Sequence, residues 1–178
     1  MVNDLIIIAL EAEAPTMSKE WDNVFFTGVG KVNAAIRASA LIEKYKPQTV
    51  WNFGTAGGIN TSCSGLVEIK NFVQRDMRCC EFGVELGQTP FEDGKVISFG
   101  DGYTCSTGDN FVSDPNLEIP ADVVDMEAYA IAKACQYHGV DFKCFKYISD
   151  NADENANNDW HETVANGEPF YIEKFNNG

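Results

Sequence analysis

Residues 123–153 constrain the fold of this 178-residue chain more than any other stretch. The apolar pair Val123-Val124 indicates the end of a short strand. Apolar residues then recur at helical spacing over residues 126–138, which predicts an Ala-rich helix. A second apolar strand follows and ends in Ser149 and Asp150. A strand, a helix and a further strand in direct succession are typical of an α/β fold.

Acidic side chains stand at the ends of both strands. Asp125 and Glu127 lie at the corner between the first strand and the helix, and Asp150 ends the second strand. Ligands of α/β sheets bind beyond the carboxyl ends of strands, so these groups form a candidate acid/base pair. The preference of helix N-termini for acids explains Asp125 equally well. It explains Asp150 only if a helical turn follows that strand.

The apolar run of residues 5–9 predicts a central parallel strand that is covered on both faces. Glu11 and Glu13 follow it, and Pro15 fits the first turn of a helix. Because side chains two residues apart at a strand end point in different directions, at most one of these glutamates faces a pocket. For Glu13, a match to the helix dipole is the alternative to a functional role.

Two glycine-rich segments follow predicted strands. Residues 28–33 come after a short strand at 24–27 and lead into a helix, so they suit either an anion held on backbone N–H groups or close helix packing. Their spacing matches neither a dinucleotide-binding fingerprint nor a P-loop. Residues 54–58, which follow a strand at 49–53, form either a flexible turn or a pocket wall. We favour the pocket wall, because this is the fourth strand end of this kind.

Residues 66–74 and 95–99 predict further strands. The segment between them, residues 75–94, is rich in glycine and lacks a hydrophobic period. We interpret it as a long functional loop or a partner contact.

Residues 105–112 predict a polar turn that Phe111 closes, and this ring either stacks on a planar base or fills the core. Residues 151–158 predict a loop, and residues 160–174 a closing helix that Gly167 and Pro169 interrupt. No repeat or linker divides the sequence, so we expect one domain over residues 1–178.

Composition excludes several classes of function. The net charge of −14 repels nucleic acids and anionic membranes, but it leaves room for a small nucleoside ligand. The apolar run near the N-terminus is too short to span a membrane and has no basic leader, so we expect a cytoplasmic protein. The six cysteines lack zinc-site spacing, so we expect free thiols, no metal and no cofactor. A redox role of the adjacent Cys79 and Cys80 is the alternative.

Five blocks, in this order, carry a family resemblance: GVGKVNAA, NFGTAGG, STGDNFV, VVDMEA and YISDNAD. They resemble the purine nucleoside phosphorylase/nucleosidase superfamily, and most closely the 5'-methylthioadenosine/S-adenosylhomocysteine nucleosidases. The resemblance covers nearly the whole chain. It implies a three-layer αβα sandwich around a central mixed sheet and a homodimer. It also implies hydrolysis of the N-glycosidic bond of adenine nucleosides such as 5'-methylthioadenosine, S-adenosylhomocysteine and 5'-deoxyadenosine.

The resemblance also implies roles for single residues. Asp150 matches the acid that protonates adenine N7, and Glu13 matches the group that orients or deprotonates the attacking water. Glu127 matches the carboxylate that binds the ribose hydroxyls, beside which Met126 packs against the sugar.

The remaining implied contacts are to the purine and to the walls of the site. Thr55 stands where the family commonly has Ser near the purine and the water. Phe111 and Val112 match the stacking ring and the backbone that reads the adenine edge. The other substrate-binding candidates flank these motifs: Ala56, Gly57, Asp125 and Ser149.

Several positions depart from the family pattern. Lys146 replaces the Arg that commonly precedes the ISD block, and Asp125 replaces a Glu. An early hairpin is largely absent, and the C-terminal helix is curtailed. We expect residues 75–94 near the 5' side of the substrate or near the dimer partner. These departures leave the 5'-substituent open.

Three alternatives remain beside hydrolysis. A phosphorylase would need Arg side chains around phosphate, whereas only Lys31 and Arg37 lie near the glycine turn, and Glu13 would repel the anion. Hydrolysis of AMP would need a basic pocket, for which Arg75 and Arg78 are the candidates. A non-catalytic nucleoside-binding protein could share the same fold.

Overall fold

The computed structural model describes residues 3–178. Eight strands form one mixed sheet: β1 (Asp4–Ile8), β2 (Val24–Phe26), β3 (Thr49–Gly58), β4 (Leu66–Gln74), β5 (Ile97–Ser98), β6 (Tyr103–Thr107), β7 (Val123–Asp125) and β8 (Asp141–Asp150). Five α-helices accompany them: α1 (Met17–Glu20), α2 (Lys31–Tyr45), α3 (Ala128–His138), α4 (Ala156–Thr163) and α5 (Glu168–Asn177). Short 3-10 turns lie at Glu11–Glu13 and Cys80–Phe82.

The central part of the sheet closes on itself. Strand β3 pairs in parallel with β1 and β8, and its last two residues pair antiparallel with β7. Strand β8 continues to β4, β4 to β6, and β6 back to β7. The ends of β3, β7 and β8 therefore meet at one place, where a ligand can be surrounded.

Helices cover both faces of this sheet, which confirms the predicted three-layer αβα arrangement. Along β1, Leu5 and Ile7 pack into the cluster that contains α2 and α3, whereas Ile6 and Ile8 pack into the cluster that contains α1 and α5. Side chains of a strand alternate between its faces, so a strand buried on both sides must be apolar throughout. The predicted central strand is confirmed.

The structure rules out a flexible turn at residues 54–58 and corrects the polar turn predicted at residues 105–112. Residues 54–58 continue β3 as an extended strand, because β8 pairs with β3 from Thr49 to Gly57. Residues 105–107 of the predicted polar turn belong to β6, which lies between β4 and β7. In both places hydrogen bonds from a distant strand override a local composition that is typical of turns.

Element boundaries also differ near the C-terminus. The predicted loop at 151–158 contains the start of α4, and the predicted closing helix at 160–174 is divided between α4 and α5. Pro169 lies in the first turn of α5, where its missing N–H has no cost, so it begins a new helix. The helix predicted from residue 126 begins at Ala128, with Glu127 as its N-cap residue. The strand predicted at 95–99 shortens to Ile97–Ser98.

Within residues 3–178, no helix is long and apolar enough to cross a membrane, and no cluster of His, Cys, Asp and Glu could hold a metal ion. All six cysteines are free, and four of them are buried. Ion pairs such as Lys133–Glu92 and Arg78–Glu118 connect the 75–94 segment to the rest of the protein.

The ends of α2 and α3 provide a matched test of backbone conformation. Both helices end in a left-handed residue, Lys46 (φ 49°) after α2 and Gly139 (φ 66°) after α3. A side chain costs about 1 kcal/mol in this conformation. We expect Gly139→Ala to lower the free energy of unfolding by about 1 kcal/mol and Lys46→Gly to raise it by up to about 1 kcal/mol. Denaturant unfolding measures both values, and equal effects in the two variants would contradict this explanation.

Candidate active site

A cavity of about 220 Å³ opens where the strand ends meet. It lies at the carboxyl ends of β1, β3, β7 and β8 and is partly covered by α4. The eleven residues predicted from the sequence all line it: Glu13, Thr55, Ala56, Gly57, Phe111, Val112, Asp125, Met126, Glu127, Ser149 and Asp150. The structure therefore brings the predicted residues together, while their roles stay predictions.

Glu13 lies in the short turn after β1 and is 3% exposed. Its Oε2 accepts a hydrogen bond from the Leu10 backbone N–H at 3.0 Å. Its Oε1 accepts two more, each at 2.8 Å, from the backbone N–H and the side-chain hydroxyl of Thr55. Glu11 is exposed, in agreement with the expectation that at most one of the two glutamates faces the pocket. These three donors fix the Glu13 carboxylate against the end of β3.

Asp150 stands at the last position of β8, beside an irregularity in the strand pairing. The register between β3 and β8 shifts after Ala56, so that Gly57 lies opposite Asp150. Such a bulge re-aims side chains next to a site. The absent side chain of Gly57 matters here, because a Cβ atom at that position would lie 2.8 Å from Asp150 Oδ1.

The environment of Asp150 suits an acid. Burial raises the pKa of its carboxyl group, against hydrogen bonds from the Ser149 hydroxyl at 2.7 Å and the Ala152 N–H at 2.9 Å, which lower it. A carboxyl group with a raised pKa keeps its proton to a higher pH. It can then deliver that proton to a bound ligand.

Glu127 occupies the N-cap position of α3, and its side chain contacts the residue before α2. Its Oε1 accepts a hydrogen bond from the Gly30 N–H at 2.8 Å, and the neighbouring Lys31 N–H donates to Asp109 at 2.7 Å. The backbone N–H groups that could have held an anion at this glycine turn are thus bonded to carboxylates of the chain itself. Burial, followed by the nearby Asp125 carboxylate, raises the pKa of Glu127 to about 7.

Asp125 and Lys146 form a buried ion pair at the floor of the cavity. Lys146 Nζ lies 3.0 Å from Asp125 Oδ2, and the exposed fractions of the two side chains are 2% and 1%. The Thr107 hydroxyl and the Ala128 N–H also donate to Asp125, at 2.6 and 2.8 Å. Burial opposes both charges, but their mutual attraction lowers the pKa of Asp125 and raises that of Lys146.

Asp125 and Lys146, which both depart from the family pattern, therefore contact each other. With its carboxylate engaged by protein donors, Asp125 holds the corner between β7 and α3. This corner carries Met126 and Glu127 into the cavity.

Arg75 lines the cavity, whereas the sequence suggests it only as a candidate for a 5'-phosphate pocket. Its guanidinium group donates to the backbone carbonyl oxygens of Ser106, Gly108, Asn110 and Asp125. It therefore holds together the ends of β6 and β7 and the following loop. Arg78, the second candidate for a phosphate pocket, forms an exposed ion pair with Glu118. Neither side chain is arranged for a 5'-phosphate.

Apolar side chains form the outer walls. Phe111 is 46% exposed at the mouth of the cavity, and Val112 packs behind it against Val124 and Ala152. Trp160 of α4 also lines the cavity, and its indole Nε1 donates to Thr55 Oγ1 at 2.9 Å. No local pattern signals this role, because the sequence around Trp160 predicts only a closing helix.

Other lining residues were also missed by the sequence interpretation. They come from the strand ends and the flanking loops: Ala9, Leu10, Val29, Asn110, Val124 and Asn157. Val29, Asn110 and Val124 belong to three of the five sequence blocks that carry the family resemblance, and this was the only available signal for them.

A mixed sheet between two helical layers, with acids at the strand ends of one cavity, defines a nucleoside phosphorylase-like fold. The model of the phosphorylase superfamily matches residues 23–97 and 79–170. The chain is 36% identical to a 5'-methylthioadenosine/S-adenosylhomocysteine nucleosidase of Exiguobacterium sp. over 160 residues, which covers 74% of this chain and 68% of that protein. It is 32% identical to the nucleosidase of the same description from Shewanella sp., with 89% of this chain and 80% of that protein covered.

Solved structures agree on the fold. A futalosine hydrolase mutant of Helicobacter pylori superimposes with a TM-score of 0.85 at 22% identity, covering 94% of each chain. A 5'-methylthioadenosine/S-adenosylhomocysteine nucleosidase from Colwellia psychrerythraea in complex with adenine gives 0.82 at 23% identity, covering 90% of this chain and 87% of that chain. The chain belongs to the phosphorylase superfamily, and by homology it is a hydrolase of the nucleosidase type.

The buried pair at the cavity floor gives a stability prediction. Lys146→Met leaves the Asp125 carboxylate without its cation, and breaking a buried pair in this way costs about 3–5 kcal/mol. The double variant Asp125→Asn/Lys146→Met removes both charges and should recover a large part of that loss. The exposed Arg78–Glu118 pair is the control, since Arg78→Met should have little effect. Denaturant unfolding of the four proteins tests the pair, and equal stabilities of the single and double variants would contradict it.

The raised pKa of Glu127 gives a second prediction. The folded protein holds this proton up to about pH 7, whereas the unfolded chain releases it near the ordinary value of 4.5. Glu127 therefore makes the free energy of unfolding fall as the pH rises between these two values. Glu127→Gln keeps an acceptor for Gly30 but cannot ionise. From pH 5 to pH 8, we expect the variant to gain about 1–3 kcal/mol relative to the wild type. A pH-independent difference would contradict this.

Proposed function

We propose that the protein hydrolyses the N-glycosidic bond of adenine nucleosides that carry a 5'-substituent. The candidate substrates are 5'-methylthioadenosine, S-adenosylhomocysteine and 5'-deoxyadenosine. The observation that carries the proposal is the meeting of Glu13, Glu127 and Asp150 in one cavity. The names of the relatives that are about one third identical support the first two of these substrates.

Asp150 is the proposed general acid. Cleavage of the glycosidic bond passes through an oxocarbenium-like state, and the departing base must accept a proton. The buried Asp150 carboxyl group, with its raised pKa, would give that proton to adenine N7. The Ser149 hydroxyl and the Ala152 N–H hold the carboxyl group in place while the proton moves.

Glu127 is proposed to bind the ribose hydroxyl groups. Once ionised, above its raised pKa of about 7, the carboxylate accepts hydrogen bonds from two neighbouring hydroxyls, and its charge favours the positive charge that develops on the sugar ring. The Asp125–Lys146 pair below keeps the corner that carries Glu127 in position. Met126 of the same corner lines the cavity beside it.

Glu13 is proposed to orient and deprotonate the attacking water. Thr55 donates to Glu13 Oε1 from its backbone and its side chain, so this carboxylate is fixed before substrate binds. A fixed base lowers the entropic cost of bringing water to the anomeric carbon. Phe111 at the mouth would stack on the purine.

The electrostatics favour water over phosphate as the nucleophile. The N–H groups at the start of α2 are bonded to Glu127 and Asp109. The guanidinium group of Arg75 is directed to backbone carbonyl oxygens. A phosphate ion would meet carboxylates here and none of the bidentate Arg contacts that bind it well.

Release of the base from a panel of nucleosides tests the function. The panel holds the three candidates, adenosine, AMP, and futalosine, because a futalosine hydrolase shares the fold. We expect free sugar as the second product and the same rate with and without phosphate. Pentose 1-phosphate would show a phosphorylase, a preference for AMP would show an AMP nucleosidase, and binding without cleavage would show a non-catalytic protein.

The homodimer and the cytoplasmic location stay predictions. Exposed apolar side chains occur at Val29, just before α2, and at Val32 and Ile36, which are four residues apart on one face of α2. They would suit burial against a second copy. Sedimentation velocity measures the oligomeric state, and a monomer at micromolar concentration would contradict the dimer.

Replacement of the proposed acid gives the sharpest prediction. Asp150→Asn cannot donate the proton but keeps the shape of the side chain, so we expect base release to fall by about 10²–10⁴-fold. The thermal transition should stay close to that of the wild type. Glu11→Gln is the matched control, because Glu11 is exposed on the same turn as Glu13, and its rate should not change. An unchanged rate in Asp150→Asn would remove Asp150 from the mechanism.

A further inference from the structure

A chain of hydrogen bonds connects helix α4 to the proposed base. The indole Nε1 of Trp160 donates to Thr55 Oγ1 at 2.9 Å, and Thr55 Oγ1 donates to Glu13 Oε1 at 2.8 Å. Trp160 and Glu13 are far apart in the sequence, and Thr55 on β3 lies between them. The chain runs along one wall of the cavity, which all three residues line.

The donor and acceptor groups fix the direction of these two hydrogen bonds. An indole N–H can only donate, and an ionised carboxylate can only accept. A threonine hydroxyl has one hydrogen and two lone pairs. When Trp160 occupies one lone pair, the hydroxyl hydrogen is left to point at Glu13. Trp160 therefore restricts the rotation of the Thr55 hydroxyl and keeps its hydrogen on the carboxylate.

Helix α4 depends on few contacts with the rest of the protein. Of its eight residues, Ala156 alone is buried. In the described chain, Trp160 of α4 donates a side-chain hydrogen bond to Thr55 on the sheet. The single hydroxyl hydrogen of Thr163 is shared between the Ser149 carbonyl oxygen at 3.0 Å and the Asp159 carbonyl oxygen of α4 itself at 2.7 Å. The position of α4 is thus coupled most directly to Glu13, through the bond from Trp160 to Thr55.

We propose that Trp160 is a positioning residue for Glu13, which it orients through the Thr55 hydroxyl. This inference rests on the proposed function, in which Glu13 directs the attacking water. When α4 lies over the cavity, the indole N–H completes the chain and fixes Glu13 Oε1. Without the indole N–H, the Thr55 hydroxyl can rotate, and Glu13 can lose one of its three donors.

A double-mutant cycle on Trp160 and Thr55 tests the proposal. Trp160→Phe keeps an aromatic ring in the cavity wall but removes the N–H donor. We expect kcat to fall by about 3- to 10-fold, the effect of losing one hydrogen bond, with KM changed by less than about 3-fold. Thr55→Val removes the hydroxyl, so adding Trp160→Phe to it should cause no further loss of kcat. Thr55→Ser keeps the hydroxyl, and in that background the loss should return.

The controls separate positioning from general structure. Trp21→Phe changes a tryptophan that packs on Phe175 away from the cavity, and its kcat should equal that of the wild type. If the losses from Trp160→Phe and Thr55→Val multiply in the double variant, Trp160 does not act through Thr55 and the proposal is wrong. A wild-type protein that cleaves no nucleoside would instead overturn the proposed function, and the positioning role would fall with it.

The indole N–H signal gives a readout that does not need activity. A ¹⁵N–¹H spectrum should contain three indole signals, and Trp160→Phe identifies the one from Trp160. We expect Thr55→Val to shift this signal and speed its exchange with water, while Thr55→Ser leaves it nearly unchanged. The signals of Trp21 and Trp51 serve as internal standards. A Trp160 signal that does not respond to Thr55→Val would show that the hydrogen bond is absent and would overturn the proposal.

Discussion

The pairing of β3 with its three neighbours is the constraint on which the site depends. Strand β3 pairs with β1, β8 and, through Gly57 and Gly58, with β7. Each of these neighbours carries a carboxyl group at or just after its end. Glu13 follows β1, Glu127 follows β7, and Asp150 ends β8. One strand therefore brings together three acids that are far apart in the sequence. Gly57 at its end leaves the space that the Asp150 side chain occupies.

Acids that lie close together in the cavity have separate roles. Asp125 is neutralised by Lys146 and serves the fold. Burial keeps a proton on Glu127 up to about pH 7, and burial also raises the pKa of Asp150. Glu13 accepts three hydrogen bonds from fixed donors. Groups of one chemical type thus receive different environments, which is how a single cavity can provide both an acid and a base.

Much of this arrangement could be predicted from local patterns. The apolar run of β1 predicted a strand buried on both faces, and acids after apolar strands predicted a site at the strand ends. The features that were missed depend on distant partners. Residues 54–58 look like a turn until β8 supplies their hydrogen bonds. Arg75 looks like a phosphate ligand until its guanidinium group is seen on backbone carbonyl oxygens. The bond from Trp160 to Thr55 spans 105 positions of the sequence, and no local pattern signals it.

The most direct measurement of the central claim is a crystal structure with a C-nucleoside analogue of adenosine, which cannot be cleaved. The account predicts that the analogue lies in the cavity, with Asp150 at the N7 position of the base and Glu127 on the ribose hydroxyls. A water held by Glu13 should face the anomeric carbon from the side of the sugar opposite the base. An analogue that binds elsewhere, or that contacts fewer than two of these three carboxyl groups, would contradict the account.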